Sequence, residues 1–222
     1  MNGGVMDIET VKSTESIVSM KRLFQLFFKP KHFFSDFKNL NRESTYIFTY
    51  IAAMYVFMDR MDSQLIKTQA LTGGNLESYH WFINTWIKYW GFSAIASIFV
   101  AFFIWFVYGW WYEMRLKWSG VENQPSVLVR QVNAMQLCIA AIPVLIITIV
   151  QTFLYENYEA AFLAPEVYSG LIVLFFLVYS CWVSYVAVKT VFNANKFALF
   201  WFLILPLAVY VGVIASLIAL VA

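Results

Sequence analysis

The sequence predicts an all-α integral membrane protein: five transmembrane helices preceded by an amphipathic interfacial helix. Three observations carry this. Of 222 residues 61% are hydrophobic and only 13% charged, a balance that no soluble domain of this size keeps in solution. The chain divides into apolar stretches separated by short polar segments, most of them near the about 20 residues that a helix needs to cross a bilayer. Lys and Arg are also segregated by segment, so that alternate connections fall on one side of a membrane.

Residues 1–19 read as a flexible cytoplasmic tail, because they repeat with no helical or strand period and lack the basic start, apolar core and small-residue cleavage site of a signal peptide. Residues 20–43 read as an amphipathic interfacial helix or collar. Phe33, Phe34, Phe37 and Leu40 recur at helical spacing opposite Lys31, His32, Ser35, Asp36 and Lys38, and Pro30 suits a first helical turn, where its missing N–H is no loss. Such a helix lies in the membrane interface, or else lays its phenylalanines on the cytoplasmic end of the bundle.

The transmembrane domain occupies residues 44–222. Its first crossing, about 44–61, has a short apolar centre, and Asp59, Arg60 and Asp62 suggest a helix that continues beyond the membrane toward Leu71. The second, about 86–112, carries tryptophans at both ends, an aromatic belt at each interface. Ser93, Ser97 and Ala101, four apart, make a small-residue stripe along it that admits another helix closely. The segment from Glu113 to Val129 reads as a polar loop, too charged to enter lipid. The third crossing, about 131–154, is the middle helix, with Pro143 inside it. The fourth takes about 167–188 and the fifth about 197–221, with Pro206 as a kink and Ala208, Gly212 and Ser216 as a second stripe. Five helices without an internal repeat argue against an inverted-repeat transporter.

Orientation follows from the basic residues. Twelve of the fifteen lie in the N-terminal segment, in 113–130 and in 189–196; Arg60, Lys67 and Lys88 lie on the other side. The positive-inside rule then puts the N-terminus in the cytoplasm and the C-terminus outside. Glu156, Glu159 and Glu166 join Asp59, Asp62 and Glu77 on the outer face.

Candidates for chemistry are few. No nucleophile–base pairing, phosphate-binding glycine loop or Cys and His metal spacing is present, so no enzyme is predicted and no cofactor implied. Gln131, Asn133 and Gln136 form a polar set at the entry of the middle helix, and bare amides in hydrocarbon cost several kcal/mol. They would bond between helices or line a polar route through the bundle. Asp59 and Asp62, three apart, and Glu77 and His80, three apart, would present carboxylates and an imidazole to a divalent cation. The plainer reading is that they are solvated helix ends. Cys138 and Cys181 sit inside apolar runs as packing thiols at similar depth.

The entry Phe27-Phe28-Lys29-Pro30-Lys31-His32-Phe33-Phe34, the polar glycine-containing loop and the following helix with Ala140, Ala141 and Pro143 together resemble the Yip1 domain family over roughly residues 24 to 221. Eukaryotic members are trafficking proteins of the early secretory pathway that bind Rab-type GTPases and each other. Their Asp-Leu-Tyr-Gly-Pro-like motif is missing here, so that binding is carried over to no residue. The chain is similar to the shorter bacterial branch, which implies a bacterial inner membrane. The expected role is a non-enzymatic scaffold or accessory subunit that meets the bilayer and a membrane-protein partner or a second copy, through the collar and the two stripes, with no nucleic acid. The alternative is a small transporter or lipid-handling protein with a polar route near the third crossing, and a third is cation binding at the outer face.

Overall fold

The computed structural model describes residues 20–37, 41–72, 76–164 and 167–221, and all regular structure in them is helical. The expected tail, Leu40 of the collar and Glu166 of the outer face lie outside the described residues. Helix α1 (Met20–Phe28) and helix α2 (Pro30–Ser35) break at Lys29, because Pro30 at the first position of α2 begins a new helix. The expected single collar helix is therefore two. Asn41 Oδ1 accepts the Ser44 amide at 2.8 Å and caps α3 (Arg42–Thr72), which runs well past the expected crossing. A 3-10 turn and the short α4 (His80–Ile83) follow, and Thr85 caps α5 through the Lys88 amide.

From Trp86 to Trp118 the chain is one helix of 33 residues, made of α5 (Trp86–Phe103), a π-helical turn (Ile104–Tyr108) and α6 (Gly109–Trp118). This corrects the loop expected from Glu113. Arg115 and Lys117 remain helical because the guanidinium of Arg115 lies among aromatic rings inside the bundle end and Lys117 is exposed. The connection is instead residues 119–125. There Gly120 adopts φ +74°, its amide reaches the Lys117 carbonyl at 3.0 Å, and the Val121 amide reaches the Leu116 carbonyl at 3.1 Å, closing the helix end.

Helix α7 (Ser126–Leu154) is the central one, packing on α3, α6 and α9 (Val167–Val191). The segment expected to be an acidic loop after it holds a further short helix, α8 (Tyr158–Leu163), capped by Asn157. The last helix comprises α10 (Phe197–Leu199), a second π-helical turn (Phe200–Ile204) and α11 (Leu205–Val221). Pro206 has no N–H for the Phe202 carbonyl, and just before it the Leu205 amide bonds five residues back to Phe200.

Three helices are long and apolar enough to cross a membrane among the described residues: Trp86–Trp118, Ser126–Leu154 and Tyr168–Val191. Helix α3 has the length but holds Asp59, Arg60 and Asp62 after its apolar centre, and the apolar stretch Phe197–Val213 is shorter. Their outward faces carry large apolar side chains, including Phe99, Phe102, Phe153 and Phe175, as contact with lipid tails requires. Because lipid is as apolar as those side chains, cohesion comes from close packing and interhelical hydrogen bonds. Ser97, with Ser93 fully buried, and Ala101 lie toward α3, whose Ala52 and Ala53 pack with Ile104. The first stripe is thus used inside the molecule. Ala208, Gly212 and Ser216 are exposed.

Candidate functional site: a guanidinium-lined cavity

One end of the bundle gathers α1, α2, the start of α3, the 119–125 connection and the 192–196 turn; we call it the near end. Phe33 and Phe34 are buried there and Phe37 packs against the same core, whereas Phe24 and Phe28 of α1 are exposed. The far end holds α4, α8 and the end of α3.

The polar residues of α7 divide between two places. Gln131 donates through Nε2 to Thr45 Oγ1 of α3 at 2.8 Å, an interhelical bond between buried groups. Gln136 donates to Asn133 Oδ1 at 3.1 Å and accepts from the Tyr112 hydroxyl at 3.3 Å. Asn133, 2% exposed, keeps its Nδ2 without a partner. Asn133 and Gln136 face a cavity of about 370 Å³ between α6, α7, α9 and the last helix, within the size range of small-molecule pockets.

Arg115 brings the charge. Its guanidinium centre stands 4.7 Å from the Phe202 ring and 5.2 Å from that of Tyr112, and Nη1 donates to the Trp201 carbonyl at 3.4 Å. Its buried Nε has no partner. Cation–π contact contributes up to about 2 kcal/mol when desolvated, enough to hold a guanidinium there but leaving N–H donors free. Arg60 lines the same cavity from α3, and Ser180, Cys181 and Ser184 supply a polar wall from α9. Among the described residues the lining holds two guanidinium groups and no carboxylate.

Both π-helical turns border this space. Tyr108 ends the first and Phe202 lies in the second. In the first, the Gly109 amide bonds five residues back to Ile104 beside Arg130, whose Cγ would stand 2.7 Å from a Cβ at position 109. Gly109 therefore lets Arg130 cross close to α6, where it reaches Glu113 at 3.6 Å. Each bulge turns an aromatic residue toward the cavity, the use to which π-turns are often put.

At the far end the four residues considered for a cation are shared out differently. Asp62 accepts a hydrogen bond from Tyr158 of α8, whose ring stacks on Tyr89 at 3.8 Å. His80 pairs with Glu159 at 3.0 Å. Asp59 and Glu77 are exposed. Among the described residues no group of three or more His, Cys, Asp or Glu side chains is arranged to hold a metal ion. Burial pushes the Asp62 carboxyl up to about 7, with the Asp59 charge adding to the shift and the Tyr158 hydroxyl opposing it. Cys138 and Cys181 are free and buried, and Cys138 Sγ lies 3.5 Å from the Phe48 carbonyl.

The Asn133 and Gln136 part of this site is readable from sequence as amides in an apolar run. Arg115 is missed because a basic residue near a helix end reads as a loop residue. The signal that could have found it is the surrounding pattern Trp111, Tyr112 and Phe202, faces on which a guanidinium can rest.

Long apolar helices with outward-facing aromatic residues, packed around a cavity with polar and apolar walls, define a helical membrane protein. The chain belongs to the Yip1 domain family, whose model matches residues 24–218. Neither a curated protein nor a solved structure matches it.

Proposed function

We propose that this Yip1 family protein is a non-enzymatic, lipid-handling membrane protein that holds an amphiphile in the cavity between α6, α7, α9 and the last helix. The observation that carries it is the cavity itself: about 370 Å³ of space with Asn133 and Gln136 on one wall and Leu205 and Val209 on another. A polar head and an apolar chain each find a matching surface there. The last helix forms the apolar wall, and its exposed Phe200, Ile204 and Val209 continue that wall onto the lipid-facing side. Quantifying the lipids that accompany the protein out of mild detergent tests the reading. Ser184→Phe, which fills the cavity, should remove most of the accompanying lipid while the protein stays folded. Equal lipid in both forms counts against it.

In the full topology proposed, α3 and the last helix join the three long apolar helices as crossings, with the near end and the N-terminus in the cytoplasm of a bacterial inner membrane. A second reading, that of scaffold or accessory subunit, is favoured by the exposed stripe Ala208, Gly212 and Ser216, where a Cβ on Gly212 would meet nothing within 4 Å. A partner helix or a second copy would pack there, and Gly212→Leu should then abolish copurification of the partner or the dimer.

A further inference from the structure

The proposed function leaves the chemistry of the ligand open, and the cavity walls narrow it. Arg115 keeps Nε buried without a partner, and Asn133, 98% buried, keeps Nδ2 unpartnered on the same cavity. Both are donors. Buried polar groups are nearly always paired, so two residues that line one space and each keep an unpaired donor call for an acceptor there. Among the described residues the lining contributes no carboxylate to neutralise Arg115, whereas Arg60 has Asp59 acting on it from outside the lining. The ionisable groups acting on Arg115 are Tyr112, Cys181 and Tyr210, none of them an acid that is charged near neutrality. A planar guanidinium with free N–H groups matches phosphate or carboxylate oxygens, as in bidentate recognition.

We propose that the cavity binds a phosphate-bearing anion, with Arg115 and Asn133 donating to its oxygens. This rests on the cavity reading above for the lipid source, the anion being the head group of a phospholipid, but the same donors would take a free phosphate. Arg115 lies three residues from the end of α6, beside the tryptophans Trp111 and Trp118, at the level where head groups lie.

The experiment titrates the full chain in detergent with phosphatidylglycerol, with a diacylglycerol of the same chains and with inorganic phosphate, reading bound mass by native mass spectrometry and melting temperature in parallel. Phosphatidylglycerol should bind about tenfold tighter than diacylglycerol, and Arg115→Gln should remove that advantage, as loss of a charge-assisted hydrogen bond implies. Asn133→Leu, similar in volume and uncharged, should weaken phosphatidylglycerol about tenfold with little change in diacylglycerol binding; it decides the matter if Arg115→Gln does not fold. Lys117→Gln, outside the cavity, should change nothing. Stabilisation by inorganic phosphate with no preference for either lipid supports the anion and sinks the lipid-handling reading. Equal binding of the two lipids, indifferent to Arg115 and Asn133, overturns the anion and leaves that reading standing. Binding of none of the three overturns both.

Discussion

Gly120 and Asp62 are the residues whose chemistry is most constrained. Gly120 holds φ +74°, and a Cβ there would stand 2.5 Å from Asn195 Nδ2, in the connection where the Asn195 amide also bonds the Ser119 carbonyl at 3.0 Å. Gly120→Ala should therefore lower stability by about 1–2 kcal/mol, from the left-handed backbone and the displaced Asn195 together, and a thermal melt in detergent checks it. Asp62 gives a pH signature. Its folded-state carboxyl titrates at about 7 against about 4 unfolded. The folded state then binds more protons than the unfolded between those values, so this group's contribution favours the fold below about pH 4 and is lost as pH rises through 7. The melting temperature should fall across that window, and Asp62→Asn should flatten the fall. The sequence placed the glycine only within a polar connection, since the helix it closes was expected to end near residue 112. The burial of Asp62 was not legible there, because it depends on Tyr158, 96 positions away.

At the scale of elements, α7 shows how one helix serves two tasks. Gln131 bonds α3 while Asn133, two residues on and so on the other side of the helix, and Gln136 face the cavity. Gln131→Leu should cost about 1 kcal/mol in stability, the usual worth of an interhelical hydrogen bond in a membrane protein, and leave bound lipid unaltered. A parallel melt and lipid analysis would separate the two tasks, and lost lipid in Gln131→Leu would join them. Helix α8 docks through Tyr158, whose ring stacks on Tyr89 and meets the edge of Trp86, and Trp86 Nε1 donates to the Tyr155 carbonyl in the connection leading into α8 at 2.8 Å. Hydrogen exchange over residues 158–163 should therefore quicken in Trp86→Phe. The long apolar helices were legible by length and hydropathy, and the departures have local causes. Helix α6 continues because aromatic rings shelter Arg115, and the collar splits because Pro30 opens a new helix. The short α8 was hidden in an acidic stretch too brief to show a helical period. Neither π-turn was foreseen, since each depends on what presses against the helix, Arg130 on Gly109 and Pro206 on the ladder before it.

For the whole molecule, a lipid-facing shell encloses an interior that holds buried amides and guanidinium groups. The shell was readable from composition alone. The interior was only partly so: amides on one helix could be read, but their meeting with arginines from α3 and α6 needs the tertiary arrangement. The topology proposed for the chain makes Glu156 and Lys196 opposite-facing, because α9 is the one proposed crossing between them. Single cysteines placed there in a Cys138→Ser, Cys181→Ser background should label from opposite sides of the membrane, and labelling from one side would refute five crossings. The most direct measurement of the central claim is photocrosslinking in the native membrane with a photoactivatable phospholipid, followed by peptide mapping. Adducts are expected on the cavity walls, at Ser180–Ser184 and Leu205–Tyr210, and should vanish in Ser184→Phe. Adducts confined to the lipid-facing surface around Phe99, Phe102 and Phe153, and unchanged in that variant, would contradict it.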